Sequence, residues 1–220
     1  MVDALKEAFA QYANSTKAEQ MSAYMKHHFV FYGIPAPVRK SIQSDVFTRV
    51  KIQSLSELLD VVKQLWNSPQ RELHYAAMEL LAKYKKLWQP EAIEDFEWLI
   101  VTNSWWDSVD TLSSHVIGPL FKKYPELRAD YINKWKHSDN MWLRRVCIIH
   151  QLGYKHDTDT DMLTEMVLLN NESREFFLQK AIGWALRQYA KYNPEWVLRF
   201  VDIHPLKNLS KKEAVKNIRL

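Results

Sequence analysis

Four serines, Ser68, Ser104, Ser138 and Ser173, stand 36, 34 and 35 residues apart and introduce the same apolar pattern. Five residues after each stands Leu73, Val109, Leu143 or Leu178, and eight after stands Ala76, Leu112, Val146 or Ala181. Sixteen after, three of the four carry tyrosine: Tyr84, Tyr154 and Tyr189. The second unit has Leu120 there and reaches Tyr124 about one helical turn later. Apolar steps of three and four residues mark helices. A serine ahead of such a run suits an N-cap, so each serine is expected to cap its helix. Shorter helices are expected between these, over 90–101, 125–137, 159–169 and 194–201.

Helix pairs that recur every ~35 residues mark an array in which no unit buries its apolar stripe alone and stacking supplies the core. The expected fold is therefore all-α: a curved α-solenoid of degenerate, HEAT-like antiparallel helix pairs, one domain over residues 1–220. The first part of the chain adds helices over 5–12, 17–29 and 54–66. The segment Tyr32-Gly33-Ile34-Pro35-Ala36-Pro37 is the strong breaker. Pro37 can sit in the first turn of the following helix, which carries Arg39 and Lys40. Only four glycines occur in 220 residues, which suits long helices and disfavours a turn-rich β fold. A single cysteine, Cys147, excludes an intramolecular disulfide framework, and its apolar neighbours Val146 and Ile148 mark it as a buried small residue. No run approaches the ~18 uncharged apolar residues of a membrane span, and the N-terminus lacks the apolar run of a signal peptide. The expectation is a cytoplasmic monomer without a membrane partner.

The densest chemistry lies in Asn103-Ser104-Trp105-Trp106-Asp107-Ser108-Val109-Asp110. Val109, Leu112, Val116 and Leu120 continue it as helix, with Trp105 on the same stripe. Trp106 and Asp110, four residues apart, share a face at the edge of that stripe, where an indole and a carboxylate could act together. In the last repeat helix Leu178, Ala181, Ile182, Ala185 and Leu186 form the core stripe. Trp184 turns away from it, among Lys180, Arg187 and Gln188. The preceding unit offers Arg144 and Arg145, with Lys155 just beyond. Cations with aromatics between them suit a phosphate backbone and its bases. The excess of Lys plus Arg over Asp plus Glu, +4, permits such a polyanion without requiring it. Taken one at a time, each cation also reads as a solvated helix face, Trp184 as cover for a neighbouring helix, and Asp110 as a structural partner of Arg144 or Arg145. The histidines lack metal-ligand spacing and the glycines stand alone, so neither a metal nor a cofactor is expected.

At these residues the sequence resembles the AlkD-type DNA alkylation repair glycosylases over nearly its whole length. The most specific segments are Ser104-Trp105-Trp106-Asp107-Ser108-Val109-Asp110 and Lys180-Ala181-Ile182-Gly183-Trp184-Ala185-Leu186-Arg187. Tyr24-Met25-Lys26, Ser138-Asp139-Asn140-Met141-Trp142-Leu143 with Arg145, and Leu209-Ser210-Lys211-Lys212-Glu213-Ala214 support it. The resemblance implies a HEAT-like repeat enzyme that removes positively charged alkylated purines from double-stranded DNA without a deep base-flipping pocket. It implies that Trp106 and Trp184 flank the lesion nucleotide, that Asp110 is the catalytic carboxylate, and that Tyr24 lines the same cleft. Arg145, Lys155, Lys180 and Arg187 would hold the DNA backbone, with Arg39 and Lys40 as further DNA-binding cations. One departure concerns the loop after Gly33-Ile34, where the family carries a DNA-touching glutamine and this chain has Pro35.

The expected activity is monofunctional excision of 3-methyladenine- or 7-methylguanine-type bases. No lysine stands out as an amine nucleophile for strand cleavage. The competing classes are a DNA-binding solenoid that has lost catalysis and a protein-binding adaptor. An adaptor needs neither Asp110 beside Trp106 nor cations around Trp184.

Overall fold

The structure, a computed structural model, describes residues 1–218. It is all-α, with 72% of the described residues helical, and has an α-solenoid-like architecture. Among the described residues the β pairing is an isolated bridge between Val30 and Gln70. No helix is long and apolar enough to cross a membrane, among the same residues. The chain packs as two compact units, Met1–Asp95 and Phe96 onward.

The first unit holds α1 (Val2–Gln11), α2 (Ser15–Tyr24), α3 (Ala36–Thr48), α4 (Leu55–Trp66) and α5 (Arg71–Lys83). The division from the second unit falls within α6 (Ala92–Val101). Helix α4 buries Leu58, Leu59, Val62, Leu65 and Trp66 against α5, and the Ser54 side chain caps it by accepting from the Glu57 N–H. Helix α2 ends at Tyr24, short of the expected Phe29. Lys26 and His27 take left-handed φ values of 57° and 58°. The Lys26 N–H reaches Ala23 O and the His27 N–H reaches Ser22 O, which closes the helix in a Schellman-type end without a glycine. The breaker loop is fixed by one buried carboxylate. Glu72 accepts from the backbone N–H groups of Tyr32, Gly33 and Ile34 at 3.0, 2.9 and 3.1 Å. Pro35 is the residue ahead of α3, and Pro37 lies in its first turn as expected.

The second unit contains α7 (Trp106–Leu112), α8 (Gly118–Lys123), α9 (Pro125–Trp135), α10 (Met141–Ile149), α11 (Thr160–Asn171), α12 (Phe176–Tyr189), α13 (Pro194–Ile203) and α14 (Asn208–Val215). Helices α5, α7, α10 and α12 begin at Arg71, Trp106, Met141 and Phe176, 35 residues apart each time. Helix α10 packs against both α7 and α12, so in this unit the repeat helices do lie side by side. The repeated tyrosines reach back into earlier elements: Tyr154 donates to Gly118 O at 2.8 Å, and Tyr84 in the first unit donates to Val50 O at 3.2 Å.

The serines are not the caps. The residues ahead of the four helices are Gln70, Trp105, Asn140 and Glu175, one or two places after each serine. Ser68 and Ser104 donate backwards to Gln64 O and Ile100 O, closing the preceding helix or turn. Ser138 and Ser173 accept from the N–H two residues on. Only Asn140 of these caps uses its side chain, accepting from the Trp142 N–H.

A second difference follows α7. The expected uninterrupted helix from Val109 to Leu120 contains a π-helical turn at Ser113–Ile117. Pro119 has no N–H to give the carbonyl four residues back, and its ring crowds that carbonyl, so the turn widens. Cys147 is buried, as expected, and burial pushes its thiol pKa up, away from nucleophilic use.

Candidate functional site

The site is built on α7, α10 and α12. Val109, Leu112, Val116 and Ile117 are fully buried, which fixes the rotation of α7. Trp106 and Asp110, one turn apart, are left half-buried on a common face. Trp105 precedes the helix and packs into an aromatic cluster with Trp142 at 5.9 Å and Phe177 at 5.2 Å between ring centroids. That cluster ties the starts of α7, α10 and α12 together. Asn103, just ahead of it, has a left-handed φ of 49°, which turns the chain sharply into the tryptophan pair.

Arg145, from the middle of α10, clasps Asp110. Its Nε donates to Oδ1 at 2.7 Å and its Nη2 to Oδ2 at 2.9 Å, while Nη1 donates to Phe177 O. One guanidinium thus joins three successive repeat helices. Such a fork fixes both position and plane of a carboxylate. Burial raises the Asp110 pKa above the ordinary aspartate value; the Arg145 hydrogen bonds and charge oppose this, and the Asp107 charge adds to it. Ser114, in the π turn, donates to the Asp110 backbone carbonyl at 2.7 Å.

On α12 the core stripe is the expected one, and Trp184 is half-buried outside it. Lys180 and Arg187 both meet Glu213 of α14, with Lys180 Nζ 2.9 Å from Oε1 and Arg187 Nη1 on Oε2.

A family model for "DNA alkylation repair enzyme" matches residues 5–218. The chain belongs to the DNA alkylation repair enzyme family. A solved structure described as a predicted DNA alkylation repair enzyme from Enterococcus faecalis superposes with a TM-score of 0.87 at 32% identity. The match covers 94% of this chain and 96% of that one. No curated protein matches. Membership of the family carries a role in DNA repair and DNA as substrate.

Within this DNA alkylation repair fold the expected site residues have separate fates. Asp110 is brought to Arg145, and the alternative partner, Arg144, is not the one used. Arg145 was expected to hold the DNA backbone. It is 4% exposed, with Nε and Nη2 on the Asp110 carboxylate and Nη1 on Phe177 O. Lys180 and Arg187 are brought together through Glu213, a residue that sequence reading left without a role. The acid among Lys211, Lys212 and Glu213 was visible, but its placement needs the close packing of α14 on α12. Lys155 is exposed in a 3₁₀ turn, Lys155–Asp157, with a left-handed φ of 59°.

In the first unit Tyr24 is 68% exposed at the end of α2. Lys40 is exposed, with its Nζ 3.9 Å from Glu79. Arg39, expected as a DNA-binding cation, is buried instead, donating to Glu79 at 2.8 Å and Gln43 at 2.7 Å. Position 39 falls on the inner face of α3 with Gln43, Val46 and Phe47, so its guanidinium serves the interior of that unit.

Proposed function

We propose that the protein is a monofunctional AlkD-type DNA glycosylase that hydrolyses the N-glycosidic bond of positively charged N-alkylated purines in duplex DNA. The observation that carries this reading is the held carboxylate: Asp110, half-buried beside Trp106 on one helix face and fixed in plane by Arg145. Alkylation of a purine ring nitrogen gives the base a formal positive charge, so it departs without a general acid. Water adds to the anomeric carbon as the C–N bond breaks. The bonding pair goes to the base, which leaves neutral, and the water's proton is released.

Two tasks remain for the protein. Positive charge grows on the sugar, and a carboxylate nearby stabilises it. The same carboxylate can orient the water and take its proton, a role favoured by a pKa raised through burial. The pairing with Arg145 weakens the Asp110 field but stops it rotating away, which favours the geometry of the reaction over raw charge. Indole faces attract cationic rings through their quadrupole, which gives Trp106 and Trp184 a part in holding the lesion. Tyr24, Lys40, Lys155, Lys180 and Arg187 are the proposed DNA contacts.

A purely structural pair of Asp110 and Arg145 is the second reading, since the two also join α7 to α10. Incubation with 7-methylguanine- and 3-methyladenine-containing duplex, followed by chromatography for free base, tests the first. Release of base with the strand left intact supports it; absence of free base ends it.

A further inference from the structure

The cations around Trp184 are already occupied by an anion of the protein's own. Lys180 and Arg187 are seven residues apart on α12, about two turns and ~10 Å along its axis. One carboxylate bridges them because it enters over Gly183, near the midpoint. A Cβ on Gly183 would lie 2.4 Å from Glu213 Cβ and 2.9 Å from Ser210 O, so α14 can come this close only to a glycine. Helix α14 is locked there by Ser210, fully buried, which donates to Gln179 O at 3.1 Å and also meets Gln179 Oε1.

The Lys180 and Arg187 hydrogen bonds hold the Glu213 carboxyl below the usual glutamate range, so it is ionised at neutral pH. The trio keeps one net positive charge, and the Lys180 side chain is still 38% exposed. A carboxylate that gives one oxygen to an ammonium and the other to a guanidinium reproduces how two phosphodiester oxygens would be held.

We propose that Glu213 is an internal stand-in for a DNA phosphate, occupying Lys180 and Arg187 until a backbone phosphate displaces it and so setting how tightly this surface takes undamaged DNA. The inference rests on the DNA-binding reading above and assigns a residue outside the catalytic set. The exchange of one anion for another conserves the charge-assisted bonds. A strand docking on α12 therefore gains only the difference between phosphate and carboxylate. Unproductive binding along undamaged duplex is weakened, and discrimination falls to the groups that meet the lesion.

The test is equilibrium binding of the full-length protein to undamaged duplex across a salt series. Glu213→Gln removes the charge. Glu213→Asp keeps it, but one methylene shorter, and cannot span both cations. Both should bind several-fold tighter than the parent, with the log–log salt slope of Glu213→Gln steeper by about one. Asp202→Asn, the same charge change at an exposed site on α13, should leave affinity close to the parent's. The gain should vanish when Lys180 and Arg187 are both alanine. Glu213 variants that melt like the parent and bind no tighter overturn the inference, as does an Asp202→Asn effect of equal size. Where Glu213→Gln lowers the melting temperature, the cycle with the Lys180→Ala/Arg187→Ala background, run where all variants are folded, decides: absence of coupling overturns it. A parent that excises base while its Glu213 variants bind no tighter sinks this inference alone. A parent that binds duplex but releases no base sinks the glycosylase reading and leaves the binding cycle to decide this one.

Discussion

The Cβ that Gly183 lacks would lie 2.4 Å from the Cβ of Glu213. The clash is between two atoms fixed to their backbones, and the second close neighbour is the Ser210 carbonyl, so no side-chain rotation relieves it. Gly183→Ala should therefore push α14 outward. Overpacking of this kind costs about 1–3 kcal/mol, against a helix-propensity gain of about 1 kcal/mol. The net effect expected is a melting temperature a few degrees below the parent's, read by calorimetry. A variant that melts higher would show that α14 yields freely, and that its grip on Lys180 and Arg187 is loose.

The Arg145 fork makes a separable prediction. Arg145→Ala leaves Asp110 without the partner of both its oxygens, and breaking such a pair costs about 3–5 kcal/mol in buried sites. Arg145→Lys keeps the charge but not the two-point grip, so it should fold, lose excision rate and leave undamaged-duplex affinity nearly unchanged. Its salt slope should match the parent's, because Arg145 is 4% exposed. Lys155→Ala should do the opposite, lowering the slope by about one phosphate contact with little change in single-turnover rate. An Arg145→Lys protein whose salt slope falls as in Lys155→Ala would return Arg145 to the DNA backbone.

What the sequence revealed and what it hid divide along physical lines. The 35-residue period was legible because Leu73, Val109, Leu143 and Leu178 must all face a core, whatever the loops do. The phase was not: a serine accepting from an N–H, as Ser138 does, and one donating back to a carbonyl, as Ser104 does, carry the same letter. Local rules placed Trp106 and Asp110 on one face. They left open whether Asp110 pairs with Arg144 or Arg145, since that depends on how α10 is rotated against α7. Arg39 shows the same dependence: a cation beside Lys40 looks solvated in the sequence, and only packing sets Glu79 and Gln43 against it. Glu213 lay beyond reach because its partners stand 33 and 26 residues away, joined only by tertiary packing.

His150 sets an acid limit on stability. It is fully buried between Phe121 and Tyr154, with Nδ1 2.9 Å from Cys147 O. Burial pushes its pKa down from 6.5 to about 4. A lowered folded-state pKa means that the unfolded chain takes up the proton first. The contribution is therefore complete above about pH 6.5 and is lost as pH falls toward 4. A displacement of that size corresponds to about 3 kcal/mol. His150→Gln should flatten the fall in urea stability over this window. An unchanged slope would place the acid sensitivity elsewhere.

Asp110 decides the catalytic reading, and pH and charge test it from two sides. Its pKa is raised because burial outweighs the Arg145 fork, so the ionised form is needed for chemistry but is not favoured by the fold. A raised folded-state pKa makes its contribution to stability greatest below the ordinary aspartate value of 3.8 and lost as pH rises through the folded value. At neutral pH Asp110→Asn leaves the buried Arg145 guanidinium without its counter-charge, so it should melt below the parent. Assayed at a temperature where the variant is folded, excision should still fall by about 10²–10³, the usual cost of losing one transition-state electrostatic partner. Affinity for lesion DNA should change far less than the rate. In the parent, single-turnover excision should lose its rate on acidification at a pH above 3.8, as the carboxylate takes up its proton. If Asp110 only joins α7 to α10, the activity of Asp110→Asn returns to the parent's at a temperature low enough for the variant to be folded. An Asp110→Asn protein that melts, binds and releases 7-methylguanine like the parent would remove the carboxylate from the reaction altogether.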